Sequence, residues 1–260
     1  KILGDWKAPN EWYNKAIEEK KIWDSYVLKE SSPTNQELPS YAHAVGAIYR
    51  NADPSDIVVT AAGGLVGEVV QIWKPKQLNT FETEWGFSCM GYEISGALGI
   101  KMAKPSQDVI VFVGDGSYLL QNSDIYSSIM YDKKLIIVVC DNGGHMVINR
   151  LQLAKGGKEY LCNLRSARAS NLQFVDFEAH AKSMGANGET VKSISDLEAA
   201  FKRAKESDKT YVISILTHGY EWLEGSAFWE SPTLEVHSSE GNKKAYKEFI
   251  EGKNKQRKGI

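Results

Sequence analysis

Cysteine is scarce: the 260 residues hold three, Cys89, Cys140 and Cys162, with no CxxC or zinc-finger spacing among them. So small and scattered a set excludes a disulfide framework and a structural zinc site, and fits a reducing compartment. Long apolar runs are missing too. No stretch approaches the roughly 18 to 20 residues of a membrane span, and the opening "KILGDWKAPNEWYNKAIEEKKIWD" lacks the apolar core of a secretory signal. A cytoplasmic chain with no membrane partner is expected. An excess of one charge is also lacking. With 31 Lys and Arg against 33 Asp and Glu the formal net charge is -2, which offers no basic field to nucleic acid. The C-terminal lysines of "GNKKAYKEFIEGKNKQRKGI" are interleaved with acids, as on a solvated helix and tail.

What is present is a 42% hydrophobic chain able to bury a large core. Trp12, Ala16, Ile17, Trp23 and Val27 recur at helical spacing near the start, and the two prolines of "ESSPTNQELPS" then break the pattern. Beyond it, helical patterns at "YAHAVGAIYRN", "LVGEVVQIW", "MGYEISGALGIKMA", "SDIYSSIMYD", "FEAHAKSMGA" and "DLEAAFKRAKES" are interleaved with apolar runs at "DIVVTAA", "DVIVFV", "KLIIVVC" and "TYVISIL". Runs that are solidly apolar instead of alternating predict an α/β fold: a doubly wound, mostly parallel sheet with helices on both faces. Ligands of such sheets bind beyond the carboxyl ends of the strands.

The loops at those ends share a chemistry. "TAAGGLVG", "VGDGSYL" and "CDNGGHM" each place glycines and small polar residues after a strand. Such loops can turn backbone N–H groups on an anion, with a helix N-terminus behind them. Asp115 and Asn142 end two predicted strands with one helix expected between, the arrangement of neighbouring parallel strands. A carboxylate, an amide oxygen and a freed carbonyl in a glycine turn are hard ligands suited to Mg²⁺, and a diphosphate would complete its shell.

"GDGSY" followed at this distance by "DN" resembles the signature of thiamin-diphosphate-dependent enzymes, with Asp141 where the first residue of an Asn pair usually stands. The resemblance implies metal ligation by Asp115, Asn142 and the Gly144 carbonyl. It places Gly114, Gly116 and Ser117, together with the backbone around His145 and Met146, in the cofactor-binding set, and Gly63, Gly64 and Leu65 on the far side of the phosphates. "EWGFSCMGYEISGALGIKMA" resembles the segment before that signature in the acetolactate-synthase-like branch. There Met90 would wedge between the cofactor's rings, and the Ser88 carbonyl and Met90 N–H would hold the aminopyrimidine edge. "FSCMGYEISGALGIK", "INRLQ", "VDFEAHAKSMGAN" and "SDKTYVISI" together resemble the trihydroxycyclohexane-1,2-dione hydrolases of myo-inositol catabolism. That resemblance implies C–C hydrolysis opening a cyclic 1,2-diketone to 5-deoxy-glucuronate.

The same resemblance sets the expected organisation: the end of a preceding domain and a linker helix at 1–37, a thiamin-diphosphate-binding domain at 38–230, and a C-terminal helix and tail at 231–260. The glutamate that activates the cofactor in such enzymes lies in a pyrimidine-binding domain, expected here from elsewhere in a longer chain or from a partner, within a homodimer or tetramer. The alternatives are an acetolactate-synthase-like or 2-oxo-acid decarboxylase chain, a naturally split subunit, and a non-catalytic diphosphate-binding module. His145 departs from the family pattern and stands as an acid or base on the substrate side or as a solvated histidine. His43, His180, His218 and His237 have no carboxylate or cysteine at ligand spacing and are expected to be structural. Arg150, Arg165 and Arg168 are open between binding a polyol and surface ion pairs. Cys89 is expected beside the cofactor, and Cys140 as a buried inert thiol.

Overall fold

The computed structural model describes residues 4–167, 171, 173–225 and 233–256. A helix α1 (Asn10–Glu30) leads into α2 (Tyr41–Asn51), β1 (Ile57–Thr60), α3 (Gly63–Ile72), β2 (Phe81–Thr83), α4 (Tyr92–Ala103) and β3 (Val109–Gly114). Two short helices, α5 (Asp115–Leu120) and α6 (Ser123–Met130), precede β4 (Ile136–Asp141) and α7 (Met146–Ala154). Then follow α8 (Phe177–Ser183), β5 (Asn187–Val191), α9 (Ile194–Glu206), β6 (Tyr211–Leu216) and α10 (Glu240–Lys255). The described residues form one six-stranded sheet in the order β2-β1-β3-β4-β6-β5, parallel at every pairing.

The apolar runs are solid because both faces of the central strands are buried. Ile110, Phe112, Ile136 and Val138 pack with α2, α3 and α9, while Val109, Val111, Val113, Ile137 and Val139 pack with α4, α6 and α8. Successive residues of one strand therefore enter different cores. Helix starts follow capping chemistry. Ser40 and His43 form a reciprocal capping box at α2, and Asp176, Ser193 and Ser239 cap α8, α9 and α10. His43 is thus a structural residue, as is His180, whose Nδ1 lies 2.9 Å from the Tyr118 hydroxyl.

Two features escape the sequence pattern. The edge strands β2 and β5 carry no apolar run, because an edge of three residues, or one buried only at Gly188 and Val191, has no need of it. The β3–β4 connection holds two helices where one is expected, and α5 starts at Asp115 with no loop between.

At the amino ends of the strands lies an ionic cluster built around the buried Asp56. Lys205 at the end of α9 is 2.7 Å from Asp56, 2.8 Å from Asp53 and 3.2 Å from Asp108, which also pairs with Lys134 at 3.1 Å. The carboxyl half of α1 packs on the domain: Val27 is buried, the Tyr26 hydroxyl accepts the Glu224 N–H at 3.0 Å, and Asp24 pairs with Lys74. Arg168 and the expected boundary between 230 and 231 lie outside the described residues.

Candidate functional site

Strand β1 pairs with β2 on one side and β3 on the other, so the strand order reverses between β1 and β3. A parallel sheet opens a crevice at such a reversal, because successive crossovers leave on opposite faces. A cavity of about 370 Å³ lies there, at the carboxyl ends of β1, β3 and β4. Its walls are Ala62–Leu65 after β1, Gly114–Ser117 at the end of β3, and Asn142 with Gly144–Met146 after β4, while Ser88 and Met90 close the rim. Every residue expected at the site lies on this wall. Cys89 does not, although it is exposed beside Met90.

Register explains the convergence. Gly114 is opposite Cys140, so the next residues, Asp115 opening α5 and Asp141 ending β4, come to the same end of the sheet. The Asp115 carboxylate is buried, and the nearby N–H groups of Gly144 and Gly116 favour its ionised form. Burial, reinforced by the charge of Asp141, pushes its carboxyl up to about 7. Asp141 is likewise raised by burial, while its Oδ1 accepts the Gly143 N–H at 2.9 Å. Asn142 Oδ1 is buried with no hydrogen-bond partner among the described residues. A buried carboxylate and an orphaned amide oxygen on one cavity wall are hard oxygens of the kind a small divalent cation takes. No group of three His, Cys, Asp or Glu among the described residues could hold a metal, so an ion here would also draw on amide and backbone oxygens.

The turn after β4 is held by a strap. Gly144 pairs with Asn163 in an antiparallel bridge, the His145 N–H donates to the Cys162 carbonyl at 2.7 Å, and the Leu164 N–H donates to the Gly143 carbonyl at 2.8 Å. Gly144 has φ +139°, and a Cβ there would lie 2.3 Å from the Cys162 oxygen. Only glycine admits both the conformation and the approach. Gly116 is less confined: a Cβ there would meet the His145 ring at 2.7 Å, a side chain that can move aside. That ring is exposed and stands between this cavity and a second one of about 330 Å³, which shares Asp115, Gly116, Gly144 and His145.

Sequence reasoning missed Tyr41, Ala62, Val147, Ile148 and Leu151 on the wall. Tyr41 is the clearest omission: it opens α2, and its ring and hydroxyl face the glycines Gly64 and Gly114 at 3.9 and 3.8 Å from where their Cβ atoms would stand. Its only advance signal is that a large aromatic follows a helix cap next to a strand.

Residues 61–215 match the family described as thiamine pyrophosphate enzyme, C-terminal TPP binding domain. The chain belongs to this family. The match begins at Ala61, before the β1 loop, and ends within β6, so this TPP-binding domain encloses all three loops of the cavity. Among curated proteins it is similar to 3D-(3,5/4)-trihydroxycyclohexane-1,2-dione hydrolases. Identity is 35% for that of Halalkalibacterium halodurans, over 85% of this chain and 35% of the relative. For Lacticaseibacillus casei it is 34% over 90% and 37%, and for Bacillus subtilis 32% over 94% and 40%. The chain thus spans between 35% and 40% of the length of these relatives. Among solved structures, the thiamine diphosphate-dependent 4-hydroxybenzoylformate decarboxylase of Rhodococcus jostii RHA1 superposes with a TM-score of 0.63 at 19% identity, covering 71% of this chain and 34% of that one. This likeness is one of fold.

Proposed function

We propose that the chain anchors the diphosphate of thiamin diphosphate and a Mg²⁺ ion at the β1–β3–β4 cavity. We further propose that it serves a hydrolase opening trihydroxycyclohexane-1,2-dione to 5-deoxy-glucuronate in inositol degradation. The observation that carries the cofactor site is the pairing of buried Asp115 with the orphaned Asn142 Oδ1 at the strand-order reversal. The substrate reading is supported by the names of the relatives.

Asp115, Asn142 and the Gly144 carbonyl would hold the ion, since they offer hard oxygens of low total charge that leave room for phosphate and water. Gly116, Ser117 and the first turn of α7 at His145 and Met146 would bind the diphosphate through backbone N–H groups, helped by the helix dipole. Gly63, Gly64 and Leu65 would close over it from the N-terminus of α3. Met90, exposed at the rim, would shape the cofactor, with Ser88 and Met90 backbone groups orienting its pyrimidine edge. Bound there, thiamin diphosphate supplies a carbon nucleophile and an electron sink for cleaving a bond next to a carbonyl. His145, on the wall shared by both cavities, would face the polyol-derived diketone and exchange protons with it. The activating glutamate would come from a pyrimidine-binding domain, of the same or a partner chain, in a cytoplasmic homodimer or tetramer.

Calorimetric titration with thiamin diphosphate and Mg²⁺ tests the site: binding is expected to require both and to be lost in Asp115→Ala. Unchanged binding by that variant would overturn the assignment. The substrate is tested by assaying the chain together with its pyrimidine-binding domain on trihydroxycyclohexane-1,2-dione beside pyruvate, where preference for pyruvate rejects the hydrolase reading.

A further inference from the structure

Glu93 sits in the first turn of α4, behind the cavity wall, and is fully buried. Its two carboxylate oxygens take different donors: Oε1 accepts the Ala62 N–H at 3.1 Å, and Oε2 the Gly91 N–H at 2.8 Å. Burial pushes the Glu93 carboxyl up, whereas its own N–H, those of Ala62 and Gly91, and the Ser117 hydroxyl favour the ionised form. These donors belong to three segments. Ala62 precedes the Gly63–Leu65 loop, Gly91 follows Met90, and Ser117 lies in the turn that carries Asp115. Packing supports the same junction, because Gly91 has φ +97° and a Cβ there would lie 2.3 Å from the Gln121 Cβ at the end of α5. Glu84 plays a lesser part at the surface, accepting the Phe87 and Cys89 N–H groups at 2.9 and 2.8 Å.

We propose that Glu93 is a positioning residue for the cofactor cavity: by accepting from Ala62 and Gly91 together, it fixes the spacing of the β1 loop and the Ser88–Met90 segment without touching the cofactor. The ligand in this statement rests on the thiamin-diphosphate reading above; the geometry does not. A carboxylate is required by the donor pattern. A glutamine of the same shape keeps one acceptor oxygen and turns its NH₂ toward a backbone N–H, leaving that donor buried without a partner.

The test is amide hydrogen exchange on the ligand-free chain, with Mg²⁺ and thiamin diphosphate titrations alongside. In Glu93→Gln, protection at Ala62 and Gly91 is expected to fall roughly tenfold or more, while the β3 and β4 amides keep theirs and report an intact fold. Thiamin diphosphate affinity at saturating Mg²⁺ should fall roughly tenfold. Glu93→Asp keeps the carboxylate but withdraws it by one methylene, so protection at Ala62 or Gly91 should fall with a smaller loss of affinity, which keeps the proposal testable if Glu93→Gln does not fold. Wild-type protection at Ala62 and Gly91 in Glu93→Gln overturns the junction, and lost protection with unchanged cofactor affinity overturns the positioning role. If the wild-type chain binds no thiamin diphosphate, the cofactor reading fails by itself, and the exchange pattern still decides whether Glu93 joins the loops.

Discussion

Gly144→Ala perturbs the site where its backbone is most confined. The added methyl meets two obstacles. At φ +139° an L residue lies outside its favoured regions, which costs of order 1–3 kcal/mol. The methyl carbon would also lie 2.3 Å from the Cys162 carbonyl oxygen and 3.2 Å from its carbon, so the strap must move away. Moving it breaks the His145–Cys162 and Leu164–Gly143 hydrogen bonds, of 2.7 and 2.8 Å, each contributing about 0.5–1.5 kcal/mol. A local loss of about 2–6 kcal/mol follows if the strap detaches. If that loss reached the whole fold, it would lower the melting temperature by roughly 4–24 °C, at about 2–4 °C per kcal/mol for a chain of this size. Gly143→Ala is the control: φ there is +79°, and its Cβ would make only an ordinary 3.5 Å contact with Phe174, so backbone strain without a clash predicts about 1 kcal/mol. The assay is thermal unfolding of both variants, with and without Mg²⁺ and thiamin diphosphate. Ligand-induced stabilisation is expected to shrink sharply in Gly144→Ala and modestly in Gly143→Ala. Equal effects, or a wild-type melting curve for Gly144→Ala, would refute the idea that the strap fixes this turn.

Two further outcomes are expected. Lys205→Met removes the cation shared by Asp53, Asp56 and Asp108 and leaves Asp56, 3% exposed, without its ion pair, so urea denaturation should show a loss of about 3–5 kcal/mol; a loss under about 1 kcal/mol would mean the cluster rearranges freely. Asp115, with its folded pKa raised from 3.8 to about 7, binds its proton more tightly folded than unfolded. Stability of the ligand-free chain should therefore be highest below about pH 4 as far as this group is concerned, and decline by about 2–4 kcal/mol as pH rises to 7. Asp115→Asn should flatten that decline in melting temperature, and an identical pH profile in the variant would contradict it.

Much of this architecture is legible in the chain because burial on both faces leaves a strong local trace. The runs around Val109–Val113 and Ile136–Cys140 are apolar at every position, and the structure accounts for it by placing alternate residues in two cores. The cavity wall was legible chiefly through the resemblance carried by the GDG and DN motifs, because glycines and a carboxylate after a strand are common in ordinary turns. What stayed hidden has no such trace. Tyr41 and Glu93 reach the site region through tertiary packing from helices whose sequence looks like ordinary amphipathic pattern. The strap at Leu161–Leu164 meets Gly144 across about twenty positions with no periodicity to announce it. The edge strands are silent because one exposed face relaxes the demand for apolar residues.

The two-sided burial of β3 also acts as a ruler. Phe112 occupies one core, edge-on to Trp73 at 6.0 Å between ring centres, and Val111 and Val113 occupy the other. Sliding the strand by one residue would exchange an aromatic ring for a valine on each side at once, overfilling one core and emptying the other. The distance from the centre of the sheet to Asp115 is therefore measured out by side-chain volumes that never meet a ligand. A deletion inside Val109–Val113 would displace the carboxylate from its place beside Asn142 more surely than most substitutions in the cavity itself.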